Sequence, residues 1–142
     1  MAHTVLVAFD GSPLAERALD HALTSMPDAE FTAIHVINPV DVIVAVETGG
    51  LPVAEDWYET AQDQADTIQT VASELAAAHN RTIKTVTEIG RPARTILQYA
   101  RDNNIDQLVI GSHGRSGINR ALLGSVAETV ARRARVPVTI VR

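Results

Sequence analysis

The residues whose types and spacing best suit a chemical role lie in one stretch, positions 111–125. Its glycines are Gly111, Gly114, Gly117 and Gly124. A glycine has no Cβ, so its backbone can approach a ligand closely or adopt a positive φ. Gly124 and Ser125 stand at or near the start of a helical pattern, where free N–H groups and the positive end of the helix dipole favour a phosphate. We therefore predict a phosphate-binding loop, with the Ser125 hydroxyl as a further donor and Arg115 and Arg120 as nearby cations.

A second polar segment, Asp10-Gly11-Ser12-Pro13, directly follows the first apolar run of the chain. Ser12 is of a type favoured at helix N-caps, and Pro13 suits the first position of a helix. The segment therefore predicts a tight turn that joins a buried strand to a helix.

Short apolar runs bounded by turn residues alternate with longer stretches of helical period, which predicts five strands and four helices. The strands are predicted at residues 5–9, 31–37, 82–89, 106–110 and 137–141. The helices are predicted from 13 to 26, from 57 to about 79, from 92 to about 100 and from about 123 to 134. Residues 40–54 and 111–120 are interpreted as loops.

Strands that alternate with helices indicate an α/β fold with a single open, parallel five-stranded sheet and helices on both faces. Right-handed crossovers restrict the winding, and we predict the strand order 3-2-1-4-5. Such sheets bind ligands beyond the carboxyl ends of their strands, where the winding reverses. That point lies between strands 1 and 4, so we expect Asp10–Pro13 and Gly111–Gly114 to meet there.

The composition restricts the classes of protein to which the chain can belong. With 142 residues, 46% of them hydrophobic, it can bury a core in one domain over residues 1–142. It has no Cys, which excludes disulfides and thiolate metal sites. The net charge of −5 argues against a nucleic-acid partner. The sequence shows neither a signal peptide nor a membrane-spanning stretch, so we expect a cytoplasmic location and no membrane partner.

Other phosphate-binding motifs do not occur in the sequence. It contains no G-x-x-x-x-G-K-[ST] P-loop, and no G-x-G-x-x-G follows the first strand. A phosphoacceptor receiver domain would need a lysine at the end of its last strand, whereas the one lysine, Lys84, lies near the start of predicted strand 3.

The spacing Gly-x2-Gly-x9-Gly-Ser, at Gly111, Gly114, Gly124 and Ser125, resembles the ATP-binding signature of the universal stress protein family. The resemblance extends over the whole chain. It includes the opening Val-Ala-Phe-Asp-Gly-Ser, Ile34-His35-Val36 and the closing Val-Pro-Val-Thr-Ile-Val. It implies a Rossmann-like fold of the adenine nucleotide alpha hydrolase-like kind, a single universal stress protein domain and a role in the stress response.

The resemblance also implies a set of nucleotide contacts. Asp10 would contact the ribose or the edge of the base, and Ala8 and Val36 would line the adenine pocket. The ribose and phosphates would be held by Gly111, Ser112, Gly114, Gly124, Ser125 and Val126, with Arg115 adding charge. The ligand would be ATP, or AMP or ADP, with Mg²⁺ or Mn²⁺ bridging the phosphates. Family members commonly dimerise through the last strand, which implies a homodimer through residues 138–141.

Several polar residues also have purely structural interpretations. Asp10 is of a type that caps turns. His113 is interpreted as a loop residue whose backbone matters more than its ring, and His35, on a buried strand, as a structural histidine. Arg132, Arg133 and Arg135 are typical of the last turn of a helix, where cations complement the dipole. We predict no metal site built from protein ligands alone.

Three functions are consistent with the sequence. The first is a nucleotide-binding regulatory protein with at most slow ATP hydrolysis, because no set of residues resembles an efficient hydrolytic centre. The second is a phosphoryl- or nucleotidyl-transfer enzyme that uses Ser125, His113 or Arg115. The third is a dimeric interaction module that binds no nucleotide.

Overall fold

The computed structural model of the chain describes residues 2–40, 54–113 and 123–142. The strands are β1 (Thr4–Ala8), β2 (Glu30–Ile37), β3 (Lys84–Ile89), β4 (Gln107–Gly111) and β5 (Val138–Val141). The helices described over their whole length are α1 (Pro13–Ser25), α2 (Ala54–Ala78), α3 (Pro92–Asp102) and α4 (Ser125–Arg133). These helices connect successive strands, as the periodicity of the sequence predicts.

The five strands are parallel and lie in the order β3-β2-β1-β4-β5. This confirms the predicted α/β class and strand order. β1 is central and pairs with β2 on one side and β4 on the other, with Val7 opposite both Ala33 and Val109. The chain winds outwards from β1 in both directions, so the carboxyl ends of β1 and β4 lie side by side where the winding reverses.

Most predicted element bounds agree with the structure to within two or three residues. β3 begins at Lys84 rather than Thr82, and α4 begins at Ser125 rather than near residue 123. The predicted loop at 40–54 lies outside the described residues except at its two ends. The prediction is wrong at both of these, because Val40 has helical conformation and Ala54 already belongs to α2. The predicted loop at 111–120 is described only as far as His113, and its first residue completes β4.

Apolar side chains cover both faces of the sheet. Val5 and Val7 belong to the cluster that packs with α1 and α2, whereas Leu6 belongs to the cluster that packs with α3 and α4. All three side chains have no solvent exposure. Because neither face of this parallel strand meets water, its sequence is a continuous apolar run rather than an alternating one.

Candidate functional site

A cleft of about 560 Å³ opens at the carboxyl ends of β1, β2 and β4, at the point where the winding reverses. Its volume lies in the range of ligand pockets, about 300–1,000 Å³. Its walls include these residues of the predicted site: Ala8, Asp10, Val36, Gly111, Ser112, Gly124, Ser125 and Val126. The structure thus brings together all of the predicted site residues that it describes. Gly114 and Arg115, also predicted, lie outside the described residues.

The turn after β1 places Asp10 on the cleft wall. Its Oδ1 atom accepts a hydrogen bond from the N–H of Ser12 at 2.9 Å. Gly11, between the two, has φ of +80°, a conformation that residues with a Cβ rarely adopt. The turn-capping interaction expected of Asp10 is therefore present, and it fixes where the carboxylate lies in the cleft.

The two helices that begin at this cleft use their first N–H groups differently. At α1 the N-cap is Ser12, whose Oγ accepts a hydrogen bond from the N–H of Ala15 at 3.2 Å. At α4 the N-cap is Gly124, which has no side chain to accept such a bond. The N–H of Gly124 itself donates to the carbonyl of Ser112 at 2.7 Å, and the first bond within α4 runs from Glu128 to Gly124.

The N–H groups of Ser125, Val126 and Ala127 consequently have no hydrogen-bond acceptor within the described part of the chain. All three residues line the cleft. They lie at the positive end of the α4 dipole, where an anion is stabilised. An anion with several oxygens, such as a phosphate, suits this arrangement.

The end of β4 is held by hydrogen bonds on both sides. The N–H of Ser112 donates to the carbonyl of Val141 at 2.8 Å, and its own carbonyl accepts from Gly124. The side chains of Ser112 and His113 are both buried, with Ser112 Oγ 3.3 Å from His113 Nδ1. The His113 ring therefore has a defined place at the cleft, in addition to the backbone role that the sequence suggested.

Close packing disfavours a side chain at two glycines of the predicted signature. A Cβ on Gly124 would lie 3.2 Å from the carbonyl oxygen of Ser112 and 3.4 Å from the Cα of His113. A Cβ on Gly111 would lie 3.0 Å from the Cβ of Leu14 and 3.1 Å from its carbonyl carbon and oxygen. Gly111 therefore lets the start of α1 pack against the end of β4, which the signature alone did not reveal.

The apolar wall of the cleft is larger than the sequence analysis predicted. Ala8 and Val36 contribute to it as predicted, and Pro92 and Ile96 of α3 also line the cleft. The sequence held a signal for both, because Pro92 begins a helix and Ile96 lies one turn further along its apolar face. That signal identified an apolar helix face but not the end of the sheet that it covers.

His35 joins β2 to the residue that follows β1. Its Nδ1 lies 3.1 Å from the carbonyl oxygen of Phe9. A carbonyl oxygen can only accept, so Nδ1 carries the proton in this bond. This agrees with the predicted structural role, although His35 also lies on the cleft wall.

The acidic and metal-binding groups of the described cleft are few. Asp10 is the one carboxylate among the described residues that line it. Within the described ranges, no group of three or more His, Asp or Glu side chains is placed to hold a metal ion. A cation at the described part of the site would therefore depend on oxygen atoms of a bound ligand.

Comparison with known proteins gives the family. The model of the universal stress protein family matches residues 1–142. The chain belongs to the universal stress protein family. Universal stress protein YxiE of Bacillus subtilis is 33% identical to it over 148 aligned residues, which cover the full length of both proteins.

Solved structures show the same fold over nearly the whole chain. The structure of hypothetical protein MJ0577 has a TM-score of 0.82 and 26% identity, covering 99% of this chain and 96% of that one. A universal stress protein solved in complex with cAMP has a TM-score of 0.71 and 28% identity, covering 99% and 97%. As for membranes, no helix within residues 2–40, 54–113 and 123–142 is long and apolar enough to cross one.

Proposed function

We propose that this universal stress protein is a nucleotide-dependent regulatory protein that binds ATP in the cleft between the ends of β1 and β4. The observation that carries the proposal is the start of α4. There, Ser125, Val126 and Ala127 line the cleft, and their N–H groups have no acceptor in the described residues. A related family member solved in complex with cAMP supports an adenine nucleotide as the ligand class.

The proposed binding mode follows the chemistry of the cleft from one wall to the other. The adenine packs against the apolar wall formed by Ala8, Val36, Pro92 and Ile96. Asp10 accepts a hydrogen bond from the ribose or from the edge of the base. The ribose and phosphates are bound by Gly111, Ser112, Gly114, Gly124, Ser125 and Val126, and Arg115 contributes positive charge.

We expect any ATP hydrolysis to be slow. Asp10 is the carboxylate of the described cleft, and the proposal uses it at the ribose end rather than beside the γ-phosphate. Mg²⁺ or Mn²⁺ would accompany the nucleotide, bound mainly through phosphate oxygens. We therefore expect turnover well below the usual enzymatic range of about 1 to 10³ per second.

The proposed regulatory output is a change in assembly or partner contacts. β5 is an edge strand of the sheet, and its four residues are half-buried. We propose that two copies associate by pairing their β5 strands as a homodimer. Nucleotide bound beside α4 could then influence the dimer, because the N–H of Ser112 is hydrogen-bonded to Val141 of β5 at 2.8 Å.

A change of the α4 N-cap tests where the phosphates bind. In the Gly124→Asp variant, a carboxylate would accept hydrogen bonds from the same N–H groups and repel phosphate. We expect at least a roughly hundredfold loss of Mg-ATP affinity by isothermal titration calorimetry, the effect of losing about 3 kcal/mol of binding. ATP, alone or with its hydrolysis products, identified by mass detection in the supernatant of the denatured parent would support the proposed nucleotide-binding function.

Arg91→Asp controls for the added carboxylate in this experiment, and Gly124→Ala controls for the added Cβ. Arg91 is the N-cap of α3, makes no side-chain capping bond and does not line the cleft. The variant adds the same carboxylate at a helix start and should bind Mg-ATP like the parent. Equal affinities for Gly124→Asp and the parent would show that the phosphates do not bind at α4. A parent that binds no adenine nucleotide would overturn the proposed function.

A further inference from the structure

The outer edge of β3 is open in the described structure. β3 lies at one end of the sheet and pairs only with β2. The N–H of Gly90 donates to the carbonyl of Ile37 at 2.9 Å. Because N–H and C=O groups alternate in direction along a strand, the even-numbered residues of β3 also turn theirs towards β2. The N–H and C=O groups of Thr85, Thr87 and Ile89 therefore point away from the sheet, where another extended chain can pair.

A second cleft, of about 770 Å³, lies beside the carboxyl end of this edge. Ile89, the last residue of β3, and the following Gly90 contribute to it, and Thr95, Gln98 and Tyr99 contribute from α3. It shares no lining residue with the nucleotide cleft. Ile89 is 44% exposed, so a large aliphatic side chain stands in solvent at the point where the open edge meets the cleft.

Arg91 and Arg94 provide the positive charge of this second cleft. Both are exposed, and neither forms an ion pair with any described residue. Two carboxylates also line the cleft. That of Asp102 accepts hydrogen bonds from Gln98 Nε2 at 3.1 and 3.3 Å, whereas Glu88 lies on β3 itself. The two guanidinium groups can therefore bind added carboxylates, and Glu88 restricts where along a partner those carboxylates are accepted.

The two faces of the β3 edge differ in chemical character. Ala33, opposite Thr85, packs with α1 and α2, whereas Ile34, opposite Val86, packs with α3 and α4. Side chains alternate between faces along a strand. Ile89 therefore lies on the α2 side, and the arginines of the second cleft lie towards α3. A strand added to this edge would meet an aliphatic side chain on one face, and its other face would be on the α3 side, where Arg91 and Arg94 line the second cleft.

We propose that this edge and cleft bind an extended segment of a partner protein in which acidic and aliphatic residues alternate. The main chain of the segment pairs with the outward N–H and C=O groups of Thr85, Thr87 and Ile89, which is strand addition. Its aliphatic side chains pack against Ile89, and its carboxylates bind Arg91 and Arg94. The uniform charge of a nucleic-acid backbone fits less well, because Glu88 and Asp102 lie in the same cleft.

The charge component is tested with a fluorescein-labelled octapeptide of alternating Glu and Val, titrated into the full chain by fluorescence anisotropy at low salt. Arg91→Ala with Arg94→Ala should weaken binding about tenfold or more, because both carboxylate contacts are lost. Arg17→Ala with Arg133→Ala removes the same charge from exposed positions on α1 and α4, and should leave affinity within about twofold. Glu88→Gln should tighten binding about threefold, since it removes a like charge.

The main-chain component is tested with Thr87→Pro. The N–H of Thr87 points outwards, so proline removes a donor for the added strand without removing a bond to β2. We expect about tenfold weaker peptide binding with a circular dichroism spectrum like that of the parent. Mg-ATP titration of each variant separates this surface from the nucleotide site, because its affinity should not change.

Three results would overturn the proposal. One is equal loss of peptide affinity in the Arg91/Arg94 and Arg17/Arg133 double variants. Another is binding of a Lys–Val octapeptide as tightly as the Glu–Val one. The third would be seen by sedimentation velocity: the parent forms an oligomer, the Thr87→Pro variant does not, and added peptide leaves the parent oligomer intact. The β3 edge would then bind a second copy of this chain rather than a partner segment.

Discussion

The backbone N–H of Gly124 donates to the carbonyl oxygen of Ser112 at 2.7 Å, so α4 begins directly against the end of β4. Glycine favours this approach, because a Cβ would lie 3.2 Å from that oxygen, closer than most Cβ contacts allow. The bond occupies the N–H of Gly124 itself, and the N–H groups of the next three residues, which line the cleft, have no acceptor among the described residues. Glycine at position 124 thus permits both the packing of α4 against β4 and the phosphate contact proposed at the start of α4.

Replacing Gly124 by valine should affect both stability and binding. From sterics alone, the sequence predicts loss of nucleotide with the fold intact. The structure adds a cost in folding, about 1–3 kcal/mol, because the new Cβ meets the carbonyl of Ser112 and the Cα of His113. Thermal melting and Mg-ATP titration measure the two effects.

Gly124→Ala is the control, since it adds the same Cβ without the branched methyl groups and should retain part of the affinity. A valine variant that binds ATP like the parent would place the phosphates elsewhere.

Proline substitutions in β5 should separate dimer formation from folding. The N–H of Leu108 donates to Pro137 and that of Ser112 donates to Val141, so odd-numbered residues of β5 face β4. A proline at Thr139 would therefore break the sheet within one subunit, whereas one at Ile140 removes an outward donor. We expect Ile140→Pro to give monomers by light scattering and Thr139→Pro to lower the melting temperature more. A parent that is already monomeric would contradict the proposed dimer.

Replacing His113 by alanine distinguishes a binding protein from a transferase. The His113 ring lies 3.3 Å from Ser112 Oγ and is buried, so the variant should lose about 1–3 kcal/mol of stability. If the protein is a regulator, ATP turnover stays below about 1 per second in parent and variant alike. A fast ATP-dependent product in the parent, lost in a variant that still binds nucleotide, would instead establish a transfer enzyme.

Asp106 should make folding stability depend on acidic pH. Its Oδ2 accepts hydrogen bonds from the N–H and the hydroxyl of Thr4, both at 2.9 Å. These bonds, aided by His3, hold the pKa of Asp106 below its ordinary value of 3.8. A carboxyl with a lower pKa in the folded state stabilises it above the unfolded value, and this contribution disappears as the pH falls through the folded value.

The Asp106→Asn variant tests this dependence by urea unfolding at several pH values. The variant should unfold at lower urea than the parent at pH 7, and the difference should shrink below about pH 3.8. Asp28→Asn, at an exposed position, is the control and should unfold at nearly the same urea concentration as the parent at pH 7. A difference that is the same at pH 7 and pH 3 would mean that the Thr4 bonds do not depend on the charge of Asp106.

Much of the fold could be predicted because its signals are local. The apolar run of β1, the helical period after Pro13 and the N-cap at Ser12 each depend on residues close together in the sequence. The handedness of the crossovers then restricts how such units can be joined, and the observed strand order is the predicted one. The site residues at strand ends could be predicted for the same reason, since parallel strands end at one edge.

Contacts between distant residues were decided only by the tertiary structure. Leu14 explains why position 111 favours glycine, and Pro92 and Ile96 complete the apolar wall. The outward direction of the N–H groups at Thr87 and Ile140 follows from strand register, which composition and periodicity do not determine. The sequence by itself determined the elements, their order and the chemistry at their ends, because these depend on local conformation. The tertiary structure decided which side chains meet and which N–H groups stay open, because these depend on how the elements pack.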